Sequence, residues 1–162
     1  MNRIFLSLGS NLGDRRKNLE SAVILLEKQA GHIEARSVMY ETQPWGFSSD
    51  ISFYNQAVEL YSSKDPSQLL KILHEIEREC GRRHMSVRYA PRTVDLDILL
   101  FNHCIIRTPD LVLPHPTLHL RRFVLIPLAE IAPHVIHPVL LRSIERLLAS
   151  CADKSAVNQQ LP

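Results

Sequence analysis

The segment Thr93-Val94-Asp95-Leu96-Asp97-Ile98-Leu99-Leu100-Phe101 constrains the fold more than any other part of the chain. Its apolar and β-branched residues predict a strand, and successive side chains of a strand point to opposite faces. Asp95 and Asp97 therefore share a face, roughly 6–7 Å apart along the backbone. Two acids on one face of a central strand are costly unless a cation neutralises them. The rest of the chain has to supply a sheet around this strand and a partner for its charge.

The sheet is readable in outline. Ile4 to Leu8 is a short apolar run that stops in Gly9-Ser10-Asn11, a strand followed by a tight turn. Asp14 caps a predicted helix whose Leu19, Ala22, Val23, Leu26 and Ala30 recur at helical spacing, and Gly31 ends it. A strand is expected over Ile33 to Tyr40, and another over Phe53 to Tyr61. Between them Thr42 to Ser52 reads as a polar loop carrying Trp45 and Phe47. Asp65-Pro66-Ser67-Gln68 is a helix start with a cap, a proline at the first helical position and a glutamine placed for a capping box. That helix buries Leu69, Ile72, Leu73, Ile76 and Cys80, and Gly81 stops it. After the Thr93–Phe101 strand come a turn at Asn102-His103 and a short strand over Cys104 to Ile106. Pro114 and Pro116 force an extended stretch around His115. Helical segments follow near Arg121 to Ala129 and Leu140 to Ala149, and Lys154 to Pro162 is expected to fray. The order β-α-β-β-α-β-β with trailing helices argues an α+β sandwich, a mostly antiparallel sheet packed with helices. At 162 residues the expectation is one domain over residues 1–162.

Bulk properties narrow the function. Hydrophobic residues make up 45% and charged residues 22%, with a net charge of only +2. Such a chain is not built to coat nucleic acid or an acidic membrane, so any anion must meet a local cluster of positive charge. No apolar stretch approaches the roughly 20 residues of a membrane-spanning helix, and no signal segment opens the chain. The three scattered cysteines suit reduced thiols, and the expected location is the cytoplasm.

One such cluster adjoins the acids. Arg82, Arg83, Arg88 and Arg92 precede Asp95 with no acidic residue between them. Hard divalent cations take carboxylate oxygens together with substrate phosphates, so acids and arginines together can form a polyphosphate site. From spacing alone, ion pairs on an exposed sheet face explain the same residues equally well. There is no GxxxxGK[ST] loop and no kinase-type glycine loop, so a bound nucleotide would be held by arginines and metal ions. Phe53, Asn55 and Phe123 suggest a second feature, an aromatic slot with one amide that suits a planar heterocycle, although a ring taken singly is more often simply core. His115, between two prolines, has a rigid backbone that can aim its imidazole.

These pieces resemble one family, 6-hydroxymethyl-7,8-dihydropterin pyrophosphokinase. The matching motifs are Gly9-Ser10-Asn11-Leu12-Gly13, Tyr40-Glu41-Thr42-Gln43-Pro44-Trp45-Gly46 and Phe53-Tyr54-Asn55-Gln56-Ala57. Further on come Pro91-Arg92-Thr93-Val94-Asp95-Leu96-Asp97-Ile98-Leu99, then Pro114-His115-Pro116 and Arg121-Arg122-Phe123-Val124-Leu125-Ile126-Pro127-Leu128. The resemblance implies a ferredoxin-like fold and transfer of pyrophosphate from ATP to a pterin alcohol, releasing AMP, in folate synthesis. It implies that Asp95 and Asp97 hold two magnesium ions and that Arg82 and Arg92 contact the phosphates and support transfer. Glu77, Ile98, His115 and Arg121 would line the ATP site. Phe53 and Phe123 would sandwich the pterin, with Asn55 and the Thr42, Pro44 and Trp45 backbone at its edge. A monomer acting on small molecules, with no nucleic acid or membrane partner, is expected. Ala90, Tyr89, His84 and Met85 depart from the family's commonest residues. The competing reading is a non-catalytic nucleotide- or RNA-binding α+β module, in which Asp95 and Asp97 would repel the phosphates.

Overall fold

The computed structural model describes residues 1–43, 51–81 and 93–162. In chain order its elements are β1 (Asn2–Ser10), α1 (Arg15–Gln29), β2 (His32–Arg36), β3 (Met39–Thr42), β4 (Phe53–Ser62) and α2 (Pro66–Glu79). They continue with β5 (Asp95–Phe101), β6 (Ile106–Arg107), β7 (Val112–Leu113), α3 (Arg122–Ile131), α4 (Ile144–Ala149) and β8 (Val157–Gln160). The main sheet runs β5-β1-β4-β3-β8, with β2 also on β4, and each of its pairings is antiparallel. This is the expected α+β, ferredoxin-like arrangement.

Local chemistry accounts for the helices. The Asp14 side chain accepts from the Lys17 N–H at the start of α1. At α2, Asp65 and Gln68 form the reciprocal capping box, with Pro66 at the first position. Gly31 ends α1 where the chain passes so close to β4 that a Cβ would run into the Tyr61 carbonyl oxygen.

Alternation divides the sheet into two unlike faces. Ile4, Leu6 and Leu8 of β1, Val58 and Leu60 of β4, and Leu96 and Ile98 of β5 point toward α1 and α2 and pack with Leu19, Leu26, Leu69, Leu73 and Ile76. On the other face Phe5, Ala57 and Leu99 pack beneath α3 and α4, against Val124, Leu125, Leu128, Ile144 and Leu147. Continuing along the same three strands, this second face turns polar, presenting Ser7 and Gly9, Asn55 and Phe53, then Asp97 and Asp95.

The structure departs from the sequence reading in five places. β5 is an edge strand, not a central one. The strand expected over Ile33 to Tyr40 is two, because Ser37 interrupts it. The Ser37 hydroxyl oxygen accepts from the Ala57 N–H while its own N–H donates to the Ala57 carbonyl. A side chain thus replaces one rung of the ladder. The short strand near Cys104 starts at Ile106 and pairs with β7 outside the main sheet. The last helix is shorter than expected, since residues before it close a turn through His137 N–H to the Arg142 carbonyl. The tail expected to fray forms β8, where Val157 to Gln160 pair with Thr42 to Met39 and cover the open edge of β3.

The tight approach at Gly31 yields a test. Gly31→Ala should cost roughly 1–3 kcal/mol, the usual range for overpacking, read as a lowered midpoint in urea unfolding.

Candidate active site

The polar half of the second face is ordered by register. Tyr40, Asn55, Gly9 and Asp95 stand side by side across β3, β4, β1 and β5. Ala57, Ser7 and Asp97 form the neighbouring row. Small residues on β1 leave a floor between an amide on one side and two half-buried carboxylates on the other. A Cβ at Gly9 would lie 3.4 Å from Asn55 Oδ1 and 3.8 Å from a Phe53 ring carbon, so glycine keeps open a space that any side chain would fill.

Asn55 is pre-oriented. It is only 4% exposed, and its Nδ2 donates to the hydroxyl of Thr42, itself 5% exposed, at 2.7 Å. That bond assigns the amide nitrogen to Thr42 and turns the oxygen over the Gly9 floor. Phe53 pairs with Thr42 at the last rung of β3 and β4. Phe123 sits in the first turn of α3, half-buried, with the Arg121 guanidinium 5.8 Å from its ring centroid.

His115 is fixed against β5. Its N–H donates to the Leu99 carbonyl at 2.9 Å, and its Nδ1 accepts from the Thr117 N–H at 3.2 Å. Burial, reinforced by the charge of Arg121 and opposed by that of Asp95, lowers its pKa to about 4. The ring is therefore neutral near pH 7, with Nε2 carrying the proton. These couplings bring His115, Arg121 and Asp95 into one electrostatic neighbourhood.

Glu77 and Ile98 are placed differently. Glu77 is 3% exposed, and its Oε1 accepts from the Leu96 N–H at 2.8 Å on the outer edge of β5. The Ile98 side chain lies in the core under α1 and α2, on the face opposite the carboxylates. Its backbone has the orientation of Leu96, two residues earlier, and so points to the outer edge. Pro44, Trp45, Arg82 and Arg92 lie outside the described residues, as does the rest of the arginine segment up to Pro91.

Sequence reasoning missed the floor made by Ser7 and Gly9, although small residues alternate there with Leu6 and Leu8. It also missed the Thr42 hydroxyl bond and the Glu77–Leu96 bond, which join partners too distant in sequence to leave a local pattern.

Among the described residues no group of three or more His, Cys, Asp or Glu gathers for a metal ion. Two carboxylates alone suit magnesium, which keeps several waters and takes further oxygens from substrate phosphates. They do not suit zinc, which prefers a closed set of nitrogen and sulfur ligands.

The profile of the 7,8-dihydro-6-hydroxymethylpterin-pyrophosphokinase (HPPK) family matches residues 5–133. The chain belongs to this family. It is 47% identical over 137 residues to the 2-amino-4-hydroxy-6-hydroxymethyldihydropteridine pyrophosphokinase of Bacillus subtilis (strain 168), covering 83% of this chain and 81% of that one. It is 43% identical over 139 residues to the folic acid synthesis protein FOL1 of Dictyostelium discoideum, covering 86% of this chain but 21% of that longer protein. Among solved structures, Plasmodium falciparum HPPK-DHPS wild type with pteroate superposes with a TM-score of 0.76 at 18% identity. That match covers 91% of this chain and 44% of the other, so the chain spans less than half its length, and the likeness is one of fold. No helix among the described residues is long and apolar enough to cross a membrane.

His115 gives the fold a pH signature. The unfolded His115 imidazole takes up a proton near 6.5, the folded one only at about 4. Between those values the unfolded state binds more protons, so stability falls as pH falls through that window. His115→Asn should therefore show a shallower loss of thermal stability than the wild type from pH 6.5 to 4, measured by calorimetry on the unliganded proteins.

Proposed function

We propose that this chain transfers the pyrophosphoryl group of ATP to the hydroxymethyl oxygen of 6-hydroxymethyl-7,8-dihydropterin, releasing AMP, as a step of folate synthesis. The observation that carries the reading is the cross-strand row that sets Asn55, the Gly9 floor and Asp95 side by side. β4 and β5 are two strand spacings apart, about 10 Å, which leaves room for an acceptor alcohol and a phosphate between the amide and the carboxylates.

Roles follow from position. Phe53 and Phe123 stack on the pterin, and the Asn55 amide reads its edge, helped by the backbone of Thr42, Pro44 and Trp45. The fixed direction of the amide gives selectivity, because a ligand that leaves Oδ1 unpaired strands a buried acceptor. ATP lies along the outer edge of β5. There the Ile98 backbone faces outward between Leu96, whose N–H is taken by Glu77, and Leu99, whose carbonyl is taken by His115. Glu77 thus keeps the edge in register, and the neutral His115 offers Nε2–H as a donor. Arg121, Arg82 and Arg92 meet the phosphates.

Asp95 and Asp97 would hold two magnesium ions, which would supply positive charge against the ATP phosphates. The pterin oxygen attacks the β-phosphorus and gives up its hydroxyl proton to water, the bond from that phosphorus to the α–β bridging oxygen breaks, and AMP departs with the bonding pair. Positioning and charge neutralisation carry the catalysis, with no covalent enzyme intermediate. The enzyme works in the cytoplasm, as a monomer.

Incubating the purified protein with ATP, magnesium and the pterin alcohol should yield AMP and the pterin pyrophosphate; their absence would refute the reading. Asp95→Asn and Asp97→Asn should each cut AMP formation at least about a hundredfold with the fold retained, since metal-borne charge stabilisation amounts to several kcal/mol. Full activity in either variant would remove the carboxylates from the site. Asn55→Ala should weaken pterin binding about tenfold through its lost hydrogen bonds while sparing ATP. Equal losses for both ligands in calorimetry would misplace the slot.

A further inference from the structure

The two rings of the slot stand on different layers. Phe53 belongs to the sheet, on β4, and Phe123 to the helix packed over it, α3. A flat ligand is gripped only if the separation of the layers is held at this end of the sheet. Phe123 is only partly buried against the core beneath α3, whose buried helix contacts are Val124, Leu125 and Leu128. The start of α3 also lacks a cap of its own, because the Arg121 side chain makes no capping bond.

A remote segment supplies both missing constraints. Asp153 Oδ2 accepts from the Arg122 N–H at 2.9 Å, capping the first turn of α3, one residue before Phe123. Its other oxygen, Oδ1, accepts from the Ser155 N–H at 2.9 Å and from the Ser155 hydroxyl. Those bonds fix the direction in which the chain leaves. Two residues later Val157 pairs with Thr42, and Thr42 pairs with Phe53. Upstream, Cys151 is buried with α3 and α4. A continuous path of short contacts thus runs from Phe123 through Arg122, Asp153, Ser155, Val157 and Thr42 to Phe53.

We propose that residues 153–157 are a strut that sets the spacing between Phe123 and Phe53, with Asp153 as its positioning residue. The strut lies beyond residues 5–133, the stretch matched by the family profile. Its purpose rests on the pterin-slot reading above. Asp153 touches neither substrate; it acts through the first turn of α3. Burial pushes its carboxyl up, and the bonds from Ser155 and the Arg122 N–H outweigh this and hold it below the usual carboxylate range, so it stays anionic beside the helix start.

The test is calorimetric binding of the pterin alcohol to the full chain with magnesium and a non-hydrolysable ATP analogue, in wild type, Asp153→Ala and Asp153→Asn. Asp153→Ala should raise the pterin Kd about tenfold, the worth of one charged hydrogen bond. The ATP analogue should lose clearly less, about twofold, because its contacts on β5 and at His115 precede the helix and Arg121 alone adjoins the capped turn. Asp153→Asn keeps one carbonyl oxygen that can accept from the Arg122 N–H but turns an amide donor toward the Ser155 N–H, and should recover only part of the affinity. Backbone amide exchange in the ligand-free Asp153→Ala protein should accelerate in the first turn of α3 and not in α1 or α2. An unchanged pterin Kd, or equal losses for both ligands, would overturn the strut while leaving the slot in place. A wild type that binds the ATP analogue but no pterin would overturn the slot, and the strut with it.

Discussion

The register of β1 against its two neighbours decides where each candidate site residue on the sheet lies. β1 pairs along its whole length with β4 and from Ile4 to Gly9 with β5, so one strand sets the phase of both. A slip of one residue would turn each side chain on the moving strand to the other face. On β5 it would drive Asp95 and Asp97 under α1 and α2, and expose Leu96 and Ile98. Ile4, Leu6 and Leu8 are fully buried, and their burial resists that slip. The same apolar contacts that fold the protein therefore hold two carboxylates and one amide at fixed positions in two neighbouring rows.

The ladder is regular only as far as the site needs. Between Phe5 and Leu6 the β1–β5 register shifts, which leaves Leu99 as an extra residue on β5. Leu99 packs under α3, and its carbonyl takes the His115 N–H. The irregular rung thus docks the Pro114–Pro116 stretch against the strand that carries the acids. Glu77 anchors the other end of β5 through the Leu96 N–H. Both anchors use hydrogen bonds that an interior strand would have given to a neighbour. An edge position, costly in most sheets, is what lets Glu77 and His115 take these groups.

Much of this was legible in the chain. The alternation of TVDLDILLF placed both acids on one face, and the capping signals at Asp14 and Asp65 located two helices. The parts that were not legible share a physical cause. Nothing in the periodicity of β5 says how many neighbours it has, so its edge position could not be read. The break between β2 and β3 depends on Ser37 meeting Ala57, twenty residues away. β8 carries Asn158 and Gln159, both exposed, and is held by backbone pairing that leaves no hydrophobic pattern. The Asn55–Thr42 bond likewise exists only once β3 lies on β4. Residue types at the site were readable; the polar contacts that orient them were not.

An imbalance in helix coverage explains why, among the described residues, no helix covers the polar half-face. α1 and α2 run 15 and 14 residues and cover one side of the sheet with a continuous apolar layer. α3 and α4 run 10 and 6 residues, and their core contacts gather beneath Phe5, Ala57 and Leu99. Extending α3 over the rest would take the Asp95 and Asp97 carboxylates out of water, at a cost of several kcal/mol per charge. The acids and the short helices therefore imply each other: where the sheet keeps its carboxylates, helix cannot follow. The neutrality of His115 fits the same logic. A charged imidazole beside Arg121 would add repulsion, whereas the neutral ring, with Nδ1 accepting from the Thr117 N–H, keeps an uncharged Nε2–H donor.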